Sequence, residues 1–148
     1  MNEVAEKPGV QLSKKTIERI YNEWDKALSS NNMDALMKLY ARDAIIESPL
    51  IPHLLKKERG ICKGEKEIRE LLDVVAQRKP SKRKYYRSDF LTDGKRKFMW
   101  EYPRSTPDGD QMDFTEVMEL NDDGLISYHR VYWGWYGVGV LQHNEYHQ

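Results

Sequence analysis

From residue 13 onward the apolar positions recur at helical spacing. Ile17, Ile20, Trp24 and Leu28 fall every three or four residues and so share one stripe, and Ser13 ahead of them suits an N-cap. The polar run SSNN (29–32) ends that helix and supplies the cap of a second, MDALMKLY (33–40), with Leu36, Leu39 and Tyr40 as its buried positions. AIIESP (44–49) reads as a short strand that stops before Pro49. Residues 49–64 mix proline, glycine and charge, and read as an irregular connection. A third helix, roughly 65–78, puts Ile68, Leu71, Leu72 and Val75 on one face.

After KPSK the apolar period falls to two. Strands are predicted near 84–92, 95–104, 111–121 and 125–136. TDGK (92–95) and NDDG (121–124) carry the Gly and Asp that tight hairpin turns require, and RSTPDGD (104–110) is a looser turn. Helices first and an antiparallel meander afterwards predict an α+β fold, with helices packed on one face of a curved sheet. Residues 13–140 are expected to form one domain, with tails at 1–12 and 141–148.

Charge changes the picture by exclusion. Lys plus Arg and Asp plus Glu both number 24, so the net charge is zero, which argues against non-specific nucleic-acid binding. RKPSKRKYYR (78–87) is the best candidate for a basic stripe with interleaved aromatics, but it reads more readily as a solvated helix end and loop. Cys62 is the only cysteine, so no intrachain disulfide is expected. The opening MNEVAEKPGV has no apolar signal region, and no apolar run approaches the roughly 18 residues of a membrane span. A cytoplasmic protein with no membrane partner is the expectation. HNEYH (143–147) spaces two His at i and i+4 but has no third ligand in reach, so no metal is expected. GWYGVG has no following helix to make it a dinucleotide loop, so no cofactor is expected either.

The chemistry concentrates in ISYHRVYWGWYGVGV (126–140). Strand alternation puts Ser127, His129, Val131, Trp133 and Trp135 in one set, and Ile126, Tyr128, Arg130, Tyr132 and Tyr136 in the other. Arg130 belongs with solvent or a partner subunit, so the second set is assigned outward, which puts His129, Val131 and Trp133 inside. On the preceding strand Phe114, Glu116, Met118 and Leu120 share a face, and an acid among three apolar residues is the informative member. If Asn121 pairs with Gly124, Glu116 sits directly opposite His129; a Gly bulge would shift that register by one. A buried acid and imidazole titrate as a unit that can hold one proton near neutral pH. This makes His129 a candidate general base or acid, with Glu116 orienting it. The competing reading is a self-satisfied pair that only sets strand register. Trp24, Trp100, Tyr102, Phe114, Met118, Val131 and Trp133 either line a substrate pocket or form plain core. Ser48 is either a hydrogen-bonding group at that pocket or simply the residue before a proline.

DKALSSNNMDALMKLYARDAIIESP, GICKGEKEIRELL and VMELNDDGLISYHRVYWGW, in that order, resemble the nuclear transport factor 2-like superfamily. The likeness spans about residues 13–136 and is greatest to the SnoaL-like and ketosteroid-isomerase-like branch. It implies a cone-shaped sheet wrapped around the N-terminal helices (a cystatin-like α+β barrel), a deep apolar pocket and a homodimer formed through the outer sheet face. Ketosteroid isomerases use a Tyr on the first helix, an Asp base in an EDP motif and a protonated Asp on a later strand. The matching positions here are Trp24, Ser48 and Glu116, so the phenol and the base are both absent. SnoaL-type cyclases and limonene epoxide hydrolases carry an Asp in an RDY triplet; here the triplet is RVY, with Val131 in that place. The resemblance implies a cofactor-independent isomerase, cyclase or dehydratase for an apolar, carbonyl-bearing compound. A non-catalytic ligand-binding or protein-interaction domain of the same fold is the alternative.

Overall fold

The structure, a computed structural model, describes residues 12–77, 89–106 and 109–143. Helix α1 runs Lys14–Ser29, and the Ser13 side chain accepts a hydrogen bond from Thr16 N–H, as the sequence predicts. The stripe of Ile17, Ile20, Trp24 and Leu28 is buried, joined by Tyr21 and Ala27. Each such side chain contributes roughly 1.5–3 kcal/mol when fully removed from water. The second helix, α2, is shorter than predicted: it spans Met33–Met37, capped by the Asn32 side chain. Tyr40 is not its last residue but the first of strand β1, Tyr40–Glu47.

The 49–64 segment is more ordered than its composition suggests. It forms a short helix α3, Leu50–Leu55, and an edge strand β2, Ile61–Lys63. Pro52 is tolerated because it lies in the first turn, where its missing N–H has no intrahelical partner to lose. Helix α4, Gly64–Val75, buries the predicted Ile68, Leu71, Leu72 and Val75. Glu67 reaches back to accept from Lys63 N–H at 2.7 Å, which closes the helix start.

The meander follows as β3 (Leu91–Thr92), β4 (Lys97–Thr106), β5 (Gly109–Leu120) and β6 (Ile126–Trp133). Of the strand predicted over 84–92, residues 84–88 lie outside the described residues. The sheet has six strands in the order β2-β1-β6-β5-β4-β3. It is mixed rather than antiparallel throughout, because β1 runs parallel to β6. The last predicted strand ends early, at Trp133, and residues 135–143 form helix α5, Trp135–His143. Trp135, expected on that strand, is therefore on a helix and 79 % exposed. Gly137 of α5 lies so close to the Trp133 ring that a Cβ there would overlap it, which seats the helix on that indole. The final helix also runs into the stretch expected to be a tail. Among the described residues, no helix is long and apolar enough to cross a membrane.

Candidate functional site

Register decides what the interior looks like. Around the 121–124 turn the pairing departs from expectation twice. Leu120 pairs with Ile126, one residue beyond the predicted partner, and a bulge then makes Glu119 pair with Tyr128. Gly124 supplies the positive φ of the turn, at 73°. Two slips of one residue restore the parity that a single slip would invert. Glu116 therefore lies opposite Val131, and Met118 opposite His129. Glu116 and His129 stay on the same face as diagonal neighbours, a separation that two long side chains can bridge. The bulge also turns Ile126 inward, contrary to the alternation, and leaves it fully buried.

The two side chains meet. His129 Nε2 and Glu116 Oε2 are 2.5 Å apart, and each residue is only 4 % exposed. Their partners were not all legible in the sequence. Tyr40, at the start of β1, places its hydroxyl 2.9 Å from His129 Nδ1. Trp24 on α1 donates its indole N–H to the same hydroxyl at 3.0 Å. Four buried residues from four elements thus form one chain: Trp24, Tyr40, His129 and Glu116. Burial pushes the Tyr40 phenol well above its ordinary pKa; the Trp24 bond opposes this and the Glu116 charge adds to it. A continuous β1 is what carries Tyr40 into this position, and the 33–40 helix expected from the sequence hid it.

Around this chain the predicted aromatic residues pack as a wall. Trp24 meets Trp100 edge-on, with centroids 5.3 Å apart, and meets the His129 ring edge-on at 5.6 Å. Trp100 stacks on Phe98, and Met118, paired with Phe98 across the strands, is fully buried. Phe114 and Trp133 form an edge-to-face pair at 5.1 Å, and with Val131 they are only half-buried. The side chain of Tyr102 lies outside the described residues, and so do the basic run 78–87 and residues 144–147 of HNEYH.

Ser48 has a structural task. Its hydroxyl accepts from Leu50 N–H at 3.2 Å, and its own N–H donates to the Gly60 carbonyl at 2.9 Å. It also borders an open groove of about 330 Å³ at the end of β1, lined by Ser48, Pro49, Pro52, Ile61, Arg130 and Val131 among others. Val131 is thus both a wall of this groove and the residue directly across from Glu116. Among the described residues, no group of three or more His, Cys, Asp or Glu is arranged to hold a metal ion.

No protein-family model matches the sequence, and no curated protein matches it. Solved structures do match. A SnoaL-like protein of unknown function from Burkholderia thailandensis superposes with a TM-score of 0.60 at 17% identity, covering 83% of this chain and 98% of its own. An NTF-2 like protein of unknown function from Burkholderia xenovorans gives 0.60 at 19% identity, covering 82% and 84%. This is the nuclear transport factor 2-like, SnoaL-like fold. The same fold is shared by the epoxide hydrolase/cyclase-like enzyme SalBIII, which acts in pyran ring formation in the polyether salinomycin (TM-score 0.59, 17% identity, covering 84% and 95%). At these identities the likeness establishes the architecture expected from the sequence, a curved α+β cone. It does not transfer an activity, because NTF2-like scaffolds host many.

Proposed function

We propose that this SnoaL-like chain is a small-molecule pocket protein. In this reading it works without a cofactor, by general acid–base chemistry, on an apolar compound with an acidic C–H beside a carbonyl. The carrying observation is the position of the Glu116–His129 pair. It lies where the inner face of the sheet passes from sealed core to half-buried Phe114, Val131 and Trp133. Both ring nitrogens of His129 are engaged, one by Tyr40 and one by Glu116. Roles are therefore the reverse of those expected from sequence: Glu116 exchanges the proton with substrate, and His129 behind it positions the carboxylate. Phe114, Val131 and Trp133 supply the apolar walls, with Trp24, Trp100 and Met118 as their support. A proton taken from one carbon and returned to another is an isomerisation; loss of an adjacent leaving group instead makes the reaction a dehydration or a ring closure.

The test uses 2-tetralone, an aromatic ketone with an acidic α-carbon. Full-length protein in D2O should accelerate deuterium uptake at that carbon, followed by proton NMR, and Glu116→Gln should abolish the acceleration while retaining a dispersed spectrum. Binding without exchange would favour the alternative, a non-catalytic ligand-binding domain. That alternative draws on one observation: none of the four members of the polar chain is more than 6 % exposed, so they hydrogen-bond to one another largely out of contact with water. We read the outward set Tyr128, Arg130 and Tyr132 as a homodimer surface, since Tyr132 is 56 % exposed on that face. A cytoplasmic setting fits this reading, and sedimentation velocity checks the dimer.

A further inference from the structure

The chain of four has a direction, and one residue sets it. An indole nitrogen can only donate, so Trp24 N–H occupies a lone pair of the Tyr40 oxygen. The Tyr40 proton then needs an acceptor. Among the described residues the hydroxyl has one other partner, His129 Nδ1 at 2.9 Å. If the phenol donates there, Nδ1 carries no proton. The neutral imidazole must then hold its proton on Nε2, which faces Glu116 Oε2 at 2.5 Å. A carboxylate is the matching acceptor for that N–H.

The opposite order fails on counting. A proton on Nδ1 would make His129 a second donor to the Tyr40 oxygen, beside Trp24. The phenol proton would then be buried with no acceptor among the described residues, the costly arrangement for a polar group out of water. An imidazolium fails for the same reason, because it also carries a proton on Nδ1. A carboxylic acid that donates from Oε2 to Nε2 fails as well, since that donation would force the imidazole proton onto Nδ1.

We propose that the Trp24–Tyr40 pair fixes His129 as the neutral Nε2–H tautomer and thereby makes Glu116 Oε2 the acceptor of that proton. Trp24 and Tyr40 are positioning residues in this arrangement. The imidazole then carries one proton, on the nitrogen that faces Glu116. The inference rests on geometry alone and stands whether or not the protein turns over a substrate. If the function proposed above is right, the carboxyl group that meets the substrate is supported from behind by the His129 Nε2–H.

The experiment is a two-bond proton–nitrogen correlation spectrum of the full-length chain, labelled with nitrogen-15 in its imidazoles, at neutral pH. The His129 signals are assigned by their loss in His129→Gln. The expected result is an unprotonated Nδ1 and a protonated Nε2 as the single detected form. A protonated Nδ1, in either the other tautomer or an imidazolium, overturns the proposal. In Trp24→Phe, which keeps an aromatic ring but removes the donor, the Nδ1-protonated form should rise from undetected to a comparable population. A folded Trp24→Phe variant that keeps the pure Nε2–H form shows that Trp24 does not set the direction and sinks that part. Should this variant fail to fold, the wild-type spectrum still decides the tautomer. No substrate enters the measurement, so absence of deuterium exchange with 2-tetralone leaves this result intact and counts only against the catalytic reading.

Discussion

The inner face of the sheet changes character along β5. On one side of Glu116 lie Met118 and Leu120, with Phe98 and Ile126 on the neighbouring strands, all at 2 % exposure or less. On the other side lie Phe114, Val131 and Trp133, which remain half-buried. Both stretches alternate in the same way and are similarly apolar. The difference comes from what covers them. The closed side is covered by the stripe of α1 and by the bulged turn that brings Ile126 inward. The other side has α5 resting on Trp133 and an open groove beside Val131. A polar pair placed at such a boundary is dry enough for its hydrogen bonds to be strong while its neighbours on one side stay partly solvated.

The largest effect should come from testing the two sides against each other. Phe98→Ala on the closed side should cost about 3–5 kcal/mol, the range for a large side chain removed from a packed core. Phe114→Ala should cost roughly half of that or less, because its site is already partly solvated and leaves a smaller cavity. Urea denaturation of both variants checks this; equal costs would mean that the half-buried side is core like the other.

A smaller effect is expected at the boundary. Tyr40→Phe should lower stability by roughly 1–3 kcal/mol, because it strips the donor from His129 Nδ1 and the acceptor from Trp24. It also carries a pH signature. The folded phenol ionises well above its ordinary value, chiefly through burial. The unfolded phenol ionises near pH ~10, so above that pH the unfolded state binds fewer protons and stability falls as pH rises. Between about pH 9 and about pH 11 the wild-type urea midpoint should drop further than that of Tyr40→Phe. Parallel curves would show that Tyr40 is not protected from ionisation in the folded state.

The smallest effect separates two turns of like conformation. Gly124 and Gly94 have φ of 73° and 74°, so alanine is strained by a similar amount, about 1 kcal/mol, at either. At Gly124 the new Cβ would also lie 2.9 Å from Thr16 Cγ2, on the helix that covers the closed side, whereas at Gly94 it meets open space. Thermal melts should therefore show Gly124→Ala below Gly94→Ala, and the reverse order would mean that the turn is not packed against α1.

Much of the fold could be read from the chain alone. The α1 stripe, the α4 stripe and the two glycine turns are local patterns whose periodicity survives folding unchanged, and they name most of the core. The Glu116 and His129 faces were also legible, because alternation along a strand is local. What escaped was short or non-local. Met33–Met37 is too short for periodicity to mark its end, so Tyr40 was placed in a helix. WYGVGVLQH carries two glycines that weaken any helical signal, and its packing on Trp133 is what stabilises it there.

The sequence by itself determined that one acid and one imidazole sit on the inner faces of adjacent strands, since side chains alternate with a period of two wherever the strand runs. Only the tertiary structure decided that they touch. Their meeting depends on two register slips at one turn that cancel in parity, and on a parallel β1 that carries Tyr40 beneath the imidazole. Neither follows from local pattern, because each is set by how whole strands pair under the packing of α1 and α4.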